Sequence, residues 1–182
     1  MDFNRPITAY IQSVADARDA ATAGLAMSAV PEFNDDFRDI LLAFIDAGVR
    51  FVVVGAHALA AHGFPRATGD LDLLVEPSQD NAHRVVSALR AFGAPIENHG
   101  VGEQDFVKTQ NVYQMGVPPR RIDILTSITA VEFADAWIGR VEGKLGELNL
   151  PFLGKVELLR NKRSTGRPKD IVDADLLESA DE

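Results

Sequence analysis

The positions of the apolar side chains along the chain predict an alternation of helices and strands. Apolar residues three and four positions apart mark a helix at 35–47. Short runs rich in β-branched, aromatic or aliphatic residues predict strands at 50–54, 70–75 and 121–125. Five side chains form the predicted buried stripe of the helix: Phe37, Ile40, Leu41, Phe44 and Ile45.

Further elements follow from the same two periodicities. Helices are predicted at 7–23, 56–62, 78–92, 132–137, 154–162 and 168–177. Weaker strand candidates lie at 105–109 and 111–116, with one or two short strands within 138–153. The strand at 111–116 can pair with the one at 121–125 as a hairpin. The interleaving predicts an α+β domain over 34–182, with a central mixed β-sheet flanked by helices, and an N-terminal helical extension over 1–33.

Two acids interrupt the apolar strand at 70–75. Asp70 and Asp72 share one face of this strand, because successive side chains point to opposite faces. Adjacent carboxylates repel each other and resist burial, so the pair needs a compensating charge. Their hard oxygen ligands suit Mg²⁺ or Mn²⁺. An exposed edge strand is the alternative, but Leu74 on the acids' own face favours a strand that lines a cleft.

A third acid, Asp123, lies inside the next strong apolar strand. On its own it is typical of a carboxylate paired with Arg120 or Arg121. If its strand lies beside that of Asp70 and Asp72, the three carboxylates would form a site for two metal ions. Two ions roughly 4 Å apart can activate an attacking oxygen and stabilise the leaving oxygen of a phosphoryl displacement.

Glycine and basic residues supply candidate phosphate contacts. Gly55 follows an apolar strand and opens a helix, where backbone N–H groups can hold a phosphate, although a simple turn is the ordinary explanation. Six of the 18 basic residues fall within 15 positions near the C-terminus. Lys155, Lys162 and either Lys169 or Arg167 could converge on a triphosphate, with a solvated segment as the alternative.

Composition narrows the classes of function. The net charge of −9 argues against a broad nucleic-acid-binding surface but leaves room for a local basic patch. The absence of cysteine excludes disulfides, thiolate metal sites and cysteine nucleophiles. The chain shows no signal-peptide pattern and no run near the ~20 apolar residues of a membrane helix. A cytoplasmic protein without a membrane partner is therefore expected.

The motifs together resemble the nucleotidyltransferase superfamily of the DNA polymerase β type. Gly55-Ala56, a 13-residue spacer, Asp70-Leu71-Asp72 and then Asp123 follow the order of that family's pattern. The segments GAHALAAHGFPRATGDLDLLV and GRPKDIVDADLL are more closely similar to small bacterial AbiEii-like proteins of toxin–antitoxin systems. The resemblance covers about residues 35–178.

This resemblance implies the nucleotidyltransferase fold and a metal-dependent transferase activity. A nucleoside monophosphate would pass from a nucleoside triphosphate, with ATP expected first, to a hydroxyl of a protein or of an RNA end, tRNA included. Asp70, Asp72 and Asp123 would be the catalytic residues and would bind Mg²⁺ or Mn²⁺. A homodimer or a cognate antitoxin is a further partner that the resemblance allows. The nucleotide-binding residues would be Gly55, Ala56, His57, Arg66, Thr68, Lys155, Lys162, Arg167 and Lys169.

One residue departs from the family pattern. Ala56 stands where the family has serine or a second glycine, so the hydroxyl that would touch a terminal phosphate is missing. His57 can take part of that role, while Arg66 and Thr68 either shape the site or anchor a loop. A nucleotide-binding module without turnover is thus an alternative. A glycosyltransferase with a metal-binding Asp-x-Asp pair is another, but it leaves Asp123 and the C-terminal lysines unexplained.

Overall fold

Residues 34–179, described by a computed structural model, form a six-stranded mixed β-sheet flanked by helices, which confirms the predicted α+β class. The predicted helix at 7–23, and with it the extension over 1–33, lies outside the described residues. None of the helices within 34–179 is both long and apolar enough to cross a membrane. In chain order the elements are α1 (Asp35–Asp46), β1 (Phe51–Val53), α2 (Gly55–Ala61), β2 (Asp70–Val75), α3 (Gln79–Phe92), α4 (Glu103–Val107), β3 (Val112–Met115), β4 (Arg121–Leu125), α5 (Phe133–Ile138), β5 (Val141–Leu145), β6 (Leu148–Phe152), α6 (Lys155–Thr165) and α7 (Pro168–Ser179).

The strand order across the sheet is β3-β4-β2-β1-β6-β5. β2 runs parallel to β4 and antiparallel to β1, so the strand that carries the two acids is an interior strand. The edge-strand alternative for this acidic segment is therefore wrong. The predicted hairpin of β3 and β4 is confirmed, and a second hairpin, β5 with β6, accounts for the strands expected within 138–153.

One face of the sheet carries the main apolar core. Phe44 of α1 packs edge to face against Phe51 at 5.5 Å between ring centroids, and Phe106 of α4 packs similarly against Tyr113 at 6.4 Å. α3 packs against both α1 and α4. Leu73 of β2 is fully buried on this side. Because side chains alternate along β2, the two acids face away from this core.

Two local predictions are wrong. Ile45, assigned to the buried stripe of α1, is 44% exposed, because it lies about 100° around the helix from the buried Phe44. The segment predicted as a strand at 105–109 forms no strand, and its first three residues belong to the short helix α4. The carboxylate of Asp105 accepts a hydrogen bond from the backbone N–H of Gly102 and caps that helix.

Candidate active site

Strands β2 and β4 bring three acids and one arginine onto the same face of the sheet. In the parallel register Asp72 lies opposite Asp123, and Asp70 lies opposite Arg121. Residues two positions apart on a strand share a face, so all four side chains point away from the main core. The three carboxylates are called the acid cluster below. The sequence could only assume that the strand of Asp123 lies beside the strand of Asp70 and Asp72, and the structure confirms this assumption.

Arg121 joins two members of the acid cluster. Its Nη2 donates to Asp70 Oδ2 at 2.6 Å, and its Nε donates to Asp123 Oδ1 at 3.0 Å. Gln114 on β3 donates to the other oxygen of Asp123 at 3.2 Å. Asp123, only 5% exposed, is therefore held through both oxygens. The guanidinium supplies a compensating charge to two of the three acids.

Asp72 carries the excess negative charge of the cluster. Burial raises its pKa to about 6, and the neighbouring Asp123 and Asp70 add to the shift, while Arg121 and Lys162 oppose it. Burial also raises the pKa of Asp123, although Arg121 and Gln114 act in the opposite direction. A further positive charge at this position would therefore be favourable.

Gly55 lies in direct contact with Asp72. Its φ is +65°, and a Cβ built on its backbone would come within 2.2 Å of Asp72 Oδ2. Glycine is required here both for the left-handed backbone and for the close approach. The turn that opens α2 therefore lies against the acid cluster, as a site that joins phosphate and metal would need.

We expect Gly55→Ala to destabilise the protein by about 2–4 kcal/mol, since a left-handed alanine costs about 1–2 kcal/mol and the methyl group also collides with Asp72. Gly63→Ala is the matched control, because Gly63 has φ +93° but open space around it. Urea denaturation of both variants measures the difference. Equal losses of stability would show that the contact with Asp72 imposes no constraint.

The acid cluster forms the floor of a cleft of about 810 Å³. The wall includes the turn at Gly55, the segment 127–132 and residues of α6 and α7. Every residue predicted for the site lines this cleft except His57 and Lys155. Those that line it are Gly55, Ala56, Arg66, Thr68, Asp70, Asp72, Asp123, Lys162, Arg167 and Lys169.

Lys162 is a buried ion-pairing residue in the wall of the cleft. Its Nζ donates to Asp170 Oδ1 at 2.6 Å and lies 2.9 Å from Asp173 Oδ2. Asp173 also pairs with Arg66, whose Nε lies 3.2 Å from Asp173 Oδ1. These contacts tie α6 to α7, and α7 to the loop before β2. Two residues of the predicted nucleotide-binding set, Lys162 and Arg66, thus hold the wall together.

Other predicted residues take positions at the start of β2 and at the rim. The hydroxyl of Thr68 exchanges hydrogen bonds with the backbone N–H and carbonyl of Asp70, both at 3.3 Å, and so anchors the first residue of the strand. Arg167 and Lys169 are exposed where α7 begins. The Nε of Arg167 lies 3.7 Å from Asp170 Oδ2, so the guanidinium of Arg167 stays at the mouth of the cleft.

Neither His57 nor Lys155 lines the cleft. The ring of His57 packs edge to face on Phe37 at 6.0 Å, and its Nε2 is buried without a hydrogen-bond partner among the described residues. Burial lowers the pKa of His57 despite the nearby Asp70, so the imidazole is neutral at pH 7. Lys155 is the first residue of α6. His62 lies with Nε2 2.8 Å from the Leu153 carbonyl, in keeping with a packing or capping role.

Several polar residues that line the cleft were missed from the sequence, and three of them make informative contacts. Gln114 lies opposite Asp123 in the β3–β4 register. Because neighbouring side chains on a strand point to opposite faces and Tyr113 is buried in the core, the sequence could have placed Gln114 on the acidic face. Asn161 donates to the Thr129 carbonyl at 2.9 Å, a contact without any local signal. Thr165 donates to Asp170 at 2.7 Å.

The donor chemistry of the cluster fits a divalent cation. Three carboxylates on one face are the oxygen ligands that Mg²⁺ and Mn²⁺ prefer, and Asp72 retains uncompensated negative charge. Within residues 34–179, however, no three acidic or imidazole groups converge on a ready-made metal site. Two of the acids are directed at Arg121 instead.

Comparison with known proteins adds no assignment: the chain matches no family model and no curated protein.

Proposed function

We propose that this protein is a metal-dependent nucleotidyltransferase that moves a nucleoside monophosphate from a nucleoside triphosphate to an acceptor hydroxyl. The observation that carries the proposal is the acid cluster. Asp70, Asp72 and Asp123 lie on one face of two adjacent parallel strands, at the floor of a cleft. The resemblance to the DNA polymerase β type of nucleotidyltransferase supports the same assignment.

Each acid has a role in this proposal. Asp70 and Asp72 would hold Mg²⁺ or Mn²⁺, and Asp123 would complete the donor set. The bound ion would neutralise phosphate charge and orient the α-phosphorus for displacement. Asp123 also accepts the proton of the acceptor hydroxyl. The hydroxyl oxygen forms the new bond to the α-phosphorus, and pyrophosphate leaves as the bond between the α-phosphorus and the α–β bridging oxygen breaks.

The turn at Gly55 and the basic rim provide contacts for the triphosphate. Gly55 lies against Asp72, so phosphates bound there would be within reach of the acid cluster. Arg167 and Lys169 lie at the rim, where their charges favour the polyphosphate. Arg66 and Lys162 add positive potential from the wall, although both already pair with acids of α7.

The acceptor is a protein side chain or an RNA end, tRNA included. The net charge of −9 opposes extensive RNA contact, because phosphate contacts supply much of the affinity for nucleic acids. An RNA acceptor would therefore use the basic rim of the cleft. A role in a toxin–antitoxin system follows from the resemblance, and ATP is the first nucleotide to test.

A nucleotide-binding module without turnover is the second candidate. Two observations favour it: Ala56 lacks the hydroxyl or second glycine of the family pattern, and Arg121 already pairs with two of the three acids. Binding and transfer must therefore be measured separately.

We expect wild-type protein, incubated with Mg²⁺ and each of four α-³²P-labelled nucleoside triphosphates, to transfer label to a protein or RNA acceptor. Cell extract, purified tRNA and the protein itself serve as acceptors. Asp123→Asn should lower transfer by on the order of 10³-fold, since it removes both a metal ligand and the proton acceptor. Calorimetry with ATP and Mg²⁺ measures binding in parallel.

Each outcome separates the two candidates. Binding of the nucleotide without transfer to any acceptor would favour the module. If Asp123→Asn and Asp70→Asn bind and react like the wild type, the site assignment is wrong. Asp39→Asn is the control, because Asp39 is an exposed acid of α1 outside the cleft.

A further inference from the structure

We propose that Arg121 is an internal cation of the acid cluster, which a divalent metal ion must displace, and that the released guanidinium then binds the phosphates of the incoming nucleotide. This inference rests on the proposed function, since it concerns how the same site takes up metal and nucleotide. Arg121 would therefore couple the two binding events.

The first support is the geometry of the ion pairs. Arg121 contacts Asp70 through Nη2 and Asp123 through Nε, so one guanidinium joins carboxylates of two different strands. A divalent ion bound by the cluster would need oxygens of these same carboxylates. Arg121 and the ion therefore compete for the same ligands.

The second support is the balance of charge. Three carboxylates face one arginine on this part of the sheet, which leaves the group with net negative charge. A divalent ion is thus attracted to the cluster, but it is repelled by a guanidinium that remains in place. Nucleotide phosphates would remove this conflict, because they offer Arg121 new bidentate acceptors.

The third support is the space around the side chain. The side chain of Arg121 is 30% exposed and lines the cleft together with Arg66 and Thr68. A guanidinium that leaves Asp70 and Asp123 can stay in this cleft, on the side where the phosphates would lie. Metal and nucleotide should then strengthen each other's binding by the same factor, because coupling between two sites is reciprocal.

The experiment is calorimetric titration of Mn²⁺ into the protein, alone and with an ATP analogue whose α–β bridging oxygen is replaced by methylene. We expect Arg121→Gln to bind Mn²⁺ alone at least ~10-fold more tightly than wild type, because the competing charge-assisted bonds are gone. The analogue should tighten Mn²⁺ binding strongly in the wild type and much less in Arg121→Gln. Arg120→Gln removes the same charge from the neighbouring exposed residue and should behave like the wild type.

The outcomes distinguish this inference from the proposed function. If the wild type binds Mn²⁺ with the analogue but Arg121→Gln binds Mn²⁺ alone no more tightly, Arg121 is not a competitor and the inference is overturned. If none of the proteins binds Mn²⁺ even with the analogue, the proposed function fails, and the inference fails with it.

A second variant and a second measurement cover loss of folding. Arg121→Lys keeps the charge, but its single ammonium cannot reproduce the fork that spans both carboxylates, so Mn²⁺ alone should again bind more tightly than in the wild type. The shift of the unfolding temperature with Mn²⁺ concentration reports the same affinities without any turnover. Unchanged Mn²⁺ affinity in a folded Arg121→Lys protein would also overturn the inference.

Discussion

The substitution Asp72→Asn is expected to abolish nucleotide transfer and, without added metal, to stabilise the protein. Loss of a central ligand of the acid cluster should lower transfer by on the order of 10³-fold or more. The stability gain arises because Asp72 is an ionised group held in a partly buried position next to Asp123 and Asp70. Asparagine fills the same volume without the charge.

The pH dependence of this effect has a definite sign. Burial and the neighbouring acids raise the pKa of Asp72 in the folded protein to about 6, whereas an unfolded aspartate titrates near ~3.9. The folded state therefore binds the proton more tightly, and its stability falls as pH rises from about 4 to about 6. Two pKa units correspond to at most about 3 kcal/mol, which partial exposure reduces to about 1–2 kcal/mol.

Urea denaturation between pH 4 and pH 8, without divalent ions, measures the prediction. Asp72→Asn should become more stable than the wild type as pH rises from about 4 to about 6, and the two should converge near pH 4. Mg²⁺ should stabilise the wild type more than the variant. Asp39→Asn is the control, since Asp39 lies on the exposed side of α1 and should show neither effect. An Asp72→Asn protein less stable than the wild type at pH 7.5 would contradict the electrostatic account.

The substitution Lys162→Met is expected to cost about 3–5 kcal/mol of unfolding free energy. Lys162 is only 4% exposed, and its ammonium lies between the buried carboxylates of Asp170 and Asp173. Methionine keeps much of the side-chain volume but leaves both acids without their shared cation. Removing one partner of a buried ion pair leaves an uncompensated buried charge, which is the physical reason for the large effect.

Arg163→Met is the matched control for this prediction. Arg163 is the next residue of α6 and also pairs with two acids of α7, Asp175 and Glu178, both at 2.7 Å. These partners are exposed, and exposed pairs contribute about 0–1 kcal/mol. Denaturant unfolding of the two variants should therefore differ by several kcal/mol. Similar losses would show that burial of Lys162 does not set its contribution.

The acidic face of the sheet could be predicted from the local pattern alone. The alternation of side chains along a strand fixes Asp70 and Asp72 on one side and Leu71 and Leu73 on the other. The helices predicted within residues 34–179 failed only in detail, as at Ile45, because the width of a buried stripe depends on what packs against it. The short helix α4 was mistaken for a strand, because a segment of five residues carries too little periodicity.

The partners of the acids could not be predicted with the same certainty. Arg121 lies 51 positions after Asp70, and only the parallel pairing of β2 with β4 makes them neighbours. The partners of the basic C-terminal segment could not be predicted from the sequence either. Its charge pattern predicted a phosphate-binding group, but folding places Lys162 between two acids of the following helix.

The sequence by itself determined that two carboxylates share a face of one apolar strand and that a third lies in another. These are consequences of strand geometry, which needs only neighbouring residues. Only the tertiary structure decided that β2 is an interior strand, that Asp123 lies opposite Asp72, and that Arg121 also pairs with Asp70. Those choices depend on which segments pack together, because charge compensation acts over a few ångströms and the groups involved are far apart along the chain.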